Sequence, residues 1–323
     1  MKVLITGGAG FLGRHLATRL LARGELAGPG GRPEPIDELL LLDVAQAAGF
    51  DDARVTTRVG DIADRTVLER AIDTRTGAIF HLAAIVSGQA EADFELGMRI
   101  NLDASRTLLE VCRALGHRPR VVFTSSVAVY GGALPQIVQD DTALNPQSSY
   151  GTQKAIAELL LCDYTRRGFV DGRVLRLPTI SVRPGRPNAA ASSFASGIIR
   201  EPLNGVESVC PVPLDTRLWL LSPRRAIDAL VAGCELDGEQ LGSRRIVNLP
   251  GISVSVGEMI DALREVAGDA PVARIRHAMD PRVAAIVGSW PGRWDVSRAA
   301  ALGFVGDAGF ADVIRAYLED ERG

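Results

Sequence analysis

Short apolar runs alternate through the first half of the chain with stretches whose apolar residues return every three or four positions. KVLIT (2–6), ELLLLD (38–43), VTTRVGD (55–61), AIFHLAA (78–84), RVVFTSS (120–126) and GRVLRLP (172–178) read as strands. Between them FLGRHLATRLLARG, DRTVLERAI, RINLDASRTLLEVCRALG and YGTQKAIAELLLCDYTRRG carry the helical period. Strand, helix, strand repeated in this way demands right-handed crossovers and a parallel sheet covered on both faces. The pattern predicts an α/β fold, a doubly wound parallel sheet.

Two interruptions stand out. GELAGPGGRPEPID (24–37) is rich in Gly and Pro and predicts an exposed insertion before the second strand. Beyond about residue 178 the rhythm changes to prolines, small residues and hydroxyls, which suits a less regular lobe over the carboxyl ends of the strands. Helices resume at SPRRAIDALVAGCE, SVGEMIDALREVAG and FADVIRAYLEDE. The expected division is a nucleotide-binding domain from 1–180 and about 216–250, with a smaller C-terminal substrate lobe from 181–215 and 251–323.

Composition narrows the chemistry. A hydrophobic content of 46% over 323 residues can fill a sizeable core, and a net charge of −3 without a basic stripe argues against nucleic acid. No stretch approaches the ~20 apolar residues that cross a bilayer, and the opening apolar run breaks at glycines too early for a signal peptide, so a cytoplasmic protein with no membrane partner is expected. Cys112, Cys162, Cys210 and Cys234 are far apart, as are His15, His81, His117 and His277, so no metal is assigned. Lysine occurs only at positions 2 and 154, which excludes a G-x-x-x-x-G-K-[ST] phosphate loop, and no G-x-S-x-G elbow is present.

TGGAGFLG (6–13) follows the first strand and opens the first helix, where glycines allow a tight turn and the helix start can stabilise a pyrophosphate. A dinucleotide is the implied ligand. Asp43 ends LLLLD, where a carboxylate can accept from both ribose hydroxyls and would repel a 2′-phosphate, favouring NAD; a plain surface aspartate is the alternative. Tyr150 and Lys154 stand four residues apart on a predicted helix, so phenol and amine share one face. In a chain that uses arginine almost everywhere else, a merely solvated cation would usually be arginine.

Taken together, TGGAGFLG, LLLLD, GDI, HLAA, TSSVAVYG and YGTQK resemble the short-chain dehydrogenase/reductase superfamily in its extended form, over nearly the whole chain. The resemblance implies an NAD-binding Rossmann fold with Gly7, Gly8, Gly10, Phe11, Leu12 and Gly13 at the cofactor. It places Asp61 and Ile62 beside the adenine, Leu82, Ala83 and Ala84 along the cofactor strand, Asn101 on a neighbouring helix, and Pro178 and Thr179 beside the nicotinamide. It makes Ser126, Tyr150 and Lys154 the catalytic set, Tyr150 as base. Work near pH 7 requires the phenol pKa to fall by ~3, which calls for a closed site where the positive nicotinamide ring of NAD adds to the Lys154 field. The Asn-Ala-Gly motif of shorter relatives is absent.

RPGRPNAAASSFASGIIREPL (183–203), LWLLSPRRA (218–226) and GSWPGRWD (288–295) resemble members that act on small sugar acids, once grouped with nucleotide-sugar epimerases. Such a substrate needs a cation for its carboxylate, from Arg183 or Arg293, and hydroxyl partners such as Ser87, Ser126, Asn188 and Ser192. Three readings stay open: an NAD-dependent dehydrogenase of a sugar acid, a nucleotide-sugar epimerase or dehydratase, and a non-catalytic NAD-sensing protein. A homodimer is left open.

Overall fold

The computed structural model describes residues 1–185 and 192–320. Its first half runs β1 (Lys2–Thr6), α1 (Phe11–Arg23), β2 (Glu25–Ala27), β3 (Pro33–Pro35), β4 (Glu38–Asp43), β5 (Val55–Val59), α2 (Arg65–Ala71), β6 (Thr76–His81), α3 (Ser87–Ala92), α4 (Phe94–Gly97), α5 (Ala104–Leu115), β7 (Arg120–Ser126), α6 (Ser149–Arg166) and β8 (Asp171–Leu177). A π-helical turn, Met98–Asp103, leads into α5. Every strand and helix expected from periodicity up to residue 178 is present, with ends shifted by a few residues.

The second half runs β9 (Thr179–Ile180), α7 (Ser193–Leu203), β10 (Ser208–Cys210), β11 (Arg217–Leu221), α8 (Pro223–Glu235), α9 (Gly238–Leu241), β12 (Ile246–Asn248), β13 (Ile252–Ser255), α10 (Val256–Ala267), α11 (Asp269–Val272), β14 (Ile275–His277), α12 (Pro281–Gly288), α13 (Ser297–Ala301) and α14 (Phe310–Asp320). No strand was expected beyond residue 178; β9 to β14 are two to five residues long, too short to show a clear period.

Seven strands form one parallel sheet in the order β12-β8-β7-β6-β1-β4-β5. Its inner strands β1, β4 and β6 are buried along nearly their whole length because helices cover both faces, while the edge strand β5 is part-exposed. Along β4 the alternation is direct: Leu39 and Leu41 pack with Val3, Ile5, Leu16 and Leu230 on one face, Leu40 and Leu42 with Leu4, Leu68, Leu108 and Val121 on the other. A second core joins Val182, Ile198 and Ile199 to Leu220, Met259, Leu263 and Ile314 from β11, α10 and α14. Within β11, Leu218 and Leu220 face this second core and Leu221 the first.

The insertion 24–37 departs from expectation. It folds as an antiparallel β2–β3 hairpin, with Leu26 fully buried and Ile36 nearly so in the main core. Burying two large apolar side chains offsets the turn-forming composition around them.

Candidate active site

The carboxyl ends of β1, β6, β7 and β8 open into a cleft of about 420 Å³, whose far wall comes from the segment after β9, the start of α7 and the end of α12. An open α/β sheet places ligands at this edge.

The glycine turn shapes the floor. Gly7 has φ +73°, and a side chain there would strike the Ala83 main chain at 2.8 Å. At Gly13 an added Cβ would lie 2.2 Å from the Gly7 carbonyl oxygen, so α1 can approach the turn only without one. Gly10 caps α1 without any side-chain acceptor for the first-turn N–H groups, which leaves them for an anion. Gly8 serves packing instead: it is buried, and a Cβ would meet Leu41 at 2.8 Å. The Asp43 carboxylate is held at the end of β4 by Ala9 N–H at 3.0 Å and Ala45 N–H at 3.2 Å. A turn open to an anion beside an oriented carboxylate fits a dinucleotide. Gly13→Ala is expected to weaken NAD binding at least tenfold and lower the thermal midpoint, since the clash is with backbone and cannot be relieved by a rotamer. Cofactor titration by NADH fluorescence and a melting curve check both.

Gly7, Gly10, Phe11, Leu12, Gly13, Leu82, Ala84, Tyr150, Lys154, Pro178 and Thr179 all line the cleft, as do Ser87, Ser126, Arg183 and Ser192. Ala83 packs on the glycine turn, its N–H reaching Thr6 Oγ1 at 3.3 Å. Ile62 packs into the core below, and the Asp61 carboxylate pairs with Arg99 at 2.6 Å. Two residues are placed away from the expected contact. Asn101 is buried, accepts from Ile85 N–H at 2.8 Å, and donates to Ile85 O at 3.1 Å and Gln153 Oε1 at 2.7 Å. It fixes the segment after β6 against α6 and leaves no atom for a ligand. Arg293 is exposed on a loop tied to Val138 and does not line the cleft. Asn188 lies outside the described residues.

Helix α6 delivers the central pair. Ser148 caps it, accepting from Gly151 N–H at 3.1 Å, and Glu91 of α3 accepts from Ser149 N–H at 2.9 Å, which fixes where Tyr150 emerges. Gly151 is required because a Cβ would lie 2.1 Å from Ala128 O. One turn on, Lys154 is 1% exposed. Its ammonium donates to Thr124 O at 2.8 Å, sits 4.5 Å from the Phe123 ring centre and 5.8 Å from that of Tyr150.

The protein by itself does not lower the Tyr150 phenol. Burial pushes its phenol up to about 12, and the Ser126 hydroxyl and Arg183 guanidinium only partly oppose this. Burial pushes Lys154 down to about 7 against the pull of Glu158. An amine that is itself costly to charge, and engaged with a carbonyl, cannot bring the phenol near neutrality.

Sequence reasoning missed Ser125, Arg200 and Trp290, which also line the cleft. Ser125 Oγ is buried with no partner among the described residues. Arg200 is 5% exposed and donates from Nη1 to Arg183 O at 2.6 Å, propping that residue's main chain. Its signal was an arginine on the otherwise apolar inner face of α7, beside Ile198 and Ile199. Among the described residues no group of His, Cys, Asp and Glu could hold a metal ion, and no helix is long and apolar enough to cross a membrane.

Residues 3–217 match the NAD dependent epimerase/dehydratase family. A D-erythronate dehydrogenase of Cupriavidus necator is 69% identical over 99% of this chain and 98% of its own length. A second D-erythronate dehydrogenase, from Haemophilus influenzae, is 47% identical over 99% of both chains. Among solved structures, a nucleoside-diphosphate-sugar epimerase from Agrobacterium tumefaciens superposes with a TM-score of 0.94 at 46% identity, covering all of this chain and 95% of its own. The family match takes in the glycine turn, Ser126, Tyr150, Lys154 and Arg183, and the chain belongs to the NAD dependent epimerase/dehydratase family.

Proposed function

We propose that this protein is an NAD-dependent dehydrogenase that oxidises D-erythronate at C2 to 2-dehydro-D-erythronate. The observation that carries the reading is a half-buried phenol and hydroxyl, Tyr150 and Ser126, and a buried amine, Lys154, sharing one cleft with the Arg183 guanidinium. Both D-erythronate dehydrogenases named above align over nearly their full length.

NAD, when bound, supplies the hydride acceptor and a positively charged ring. Gly7, Gly10, Gly13 and the start of α1 would hold its pyrophosphate, Asp43 its adenosine ribose, and Pro178 and Thr179 its nicotinamide end. Tyr150 takes the proton of the substrate C2 hydroxyl as the C2–H pair leaves, and the C2 oxygen becomes a carbonyl. Ser126 donates to that oxygen throughout. Arg183 pairs with the carboxylate and orients C2 toward Tyr150. Arg183 already opposes the effect of burial on the phenol, and the positive ring of bound NAD would add the further charge that favours its ionised form.

Purified protein mixed with NAD and D-erythronate should show growth of NADH absorbance. Silence across all four-carbon aldonates, with NAD tightly retained after purification and a sugar nucleotide inverted without net NADH, would instead establish the epimerase chemistry named for the Agrobacterium protein.

A further inference from the structure

The cleft has a neighbour across Trp290. Behind it, between the turn after β7 and helix α12, lies a second cavity of about 320 Å³, bordered by Gly132, Gln147, Ser148 and Ile286. Two residues border both spaces, Ala128 and Trp290, and Trp290 is the large one. Its backbone is fixed: Trp290 N–H closes the end of α12 on Val287 O at 3.1 Å, Val287 is 1% exposed in the second core, and Pro291 follows. The three tryptophans of the chain differ in one respect. Trp219 and Trp294 each donate their indole N–H to a main-chain carbonyl, of Leu249 and Pro291, both at 3.4 Å. The Trp290 indole N–H bonds to no acceptor among the described residues, although partly buried indoles ordinarily find one.

We infer that Trp290 sets the length of the sugar acid accepted: its ring is the wall that stops the chain beyond the fourth carbon, and its free indole N–H donates to the terminal hydroxyl. The inference rests on the proposed activity and extends it to the end of the substrate remote from Arg183. Removing the ring joins the two cavities, so longer aldonates gain room while the four-carbon acid loses its far contact.

The test compares NAD reduction by wild type, Trp290→Ala and Trp290→Phe with four-, five- and six-carbon aldonates. In wild type the four-carbon acid should lead the six-carbon one in kcat/KM by about 100-fold or more, the size that one or two added groups meet at a closed wall. Trp290→Ala should cut that ratio at least about 30-fold. Trp290→Phe keeps a wall but no donor, so the preference should persist while KM for D-erythronate rises about 3- to 10-fold, the loss of one hydrogen bond. A Trp290→Ala protein that melts and binds NADH like wild type yet keeps the wild-type length ratio overturns the inference. Should that variant not fold, Trp290→Leu is expected to give a partial shift, and an unchanged ratio there overturns it equally. Wild type inactive on sugar acids of every length would instead remove the activity reading, and the inference with it.

Discussion

Tyr150→Phe is expected to lower kcat about 10³-fold, within the range that a positioned acid–base group contributes, while NAD affinity changes little. The phenyl ring keeps the shape of the cleft wall and the start of α6, whose cap is made by Ser148 and not by Tyr150. The phenol is protonated in the folded protein up to about 12, so its hydroxyl carries no charge whose loss would destabilise the fold at pH 7. What disappears is the acceptor for the substrate's hydroxyl proton. In wild type kcat/KM should climb with pH, because the reactive form is the phenolate and the protein alone favours the phenol. In the phenylalanine variant the residual rate should lose that climb. Stopped-flow NADH formation and a separate NADH titration check the two halves. Wild-type turnover in Tyr150→Phe would establish the non-catalytic NAD-sensing reading.

Tyr150 and Lys154 were legible because a four-residue offset becomes one helix face whatever surrounds it. The glycine turn was legible because steric need leaves a composition trace: Gly7 has a positive φ, and Gly13 would touch a carbonyl with any side chain. How strongly burial raises the Tyr150 phenol in the protein alone was not legible. It depends on how far burial outweighs one amine, and on that amine donating to Thr124 O, a contact across 30 residues that no local pattern encodes. Arg293 and Arg183 looked equivalent in sequence, and only the path of the chain after β9 places one in the cleft and the other in solvent. Asn101 shows a further limit. The resemblance put it among the cofactor residues, yet both ends of its amide are taken by Ile85 and Gln153. The hairpin at 25–35 was hidden because the neighbouring Leu26 and Ile36 are isolated apolar residues in a Gly/Pro stretch, without a period to read.

Glu158→Gln is expected to destabilise the fold by about 3–5 kcal/mol, the range for breaking a buried ion pair from one side. Glu158 is fully buried one turn beyond Lys154 and receives Arg176 in a two-pronged contact, at 2.9 and 2.7 Å. Arg176 also donates to Tyr130 and Asn248, and Asn248 to Asp140 at 2.9 Å, so the pair anchors a network running from α6 through β8 to β12. Glutamine keeps the size but leaves the guanidinium without its counter-charge. Glu158 is also what holds Lys154 up against burial, so its removal drives that amine further below about 7. The sign follows from proton counts. Between the folded value near 7 and the ordinary 10.5 the unfolded chain binds a proton that the folded one does not, so wild-type stability rises with pH in that window and is flat from this source below it. In Glu158→Gln the window extends below 7, so the gap to wild type should widen as pH falls from 7 to 5.5. Denaturant midpoints across that range measure it, with Lys154→Met as a background in which the widening should vanish. If the guanidinium is the main cost, Arg176→Met added to Glu158→Gln should recover stability, since an apolar replacement of both partners costs little. The Lys154 contribution would still persist in that double variant, because the charge that held the amine up is gone in either case.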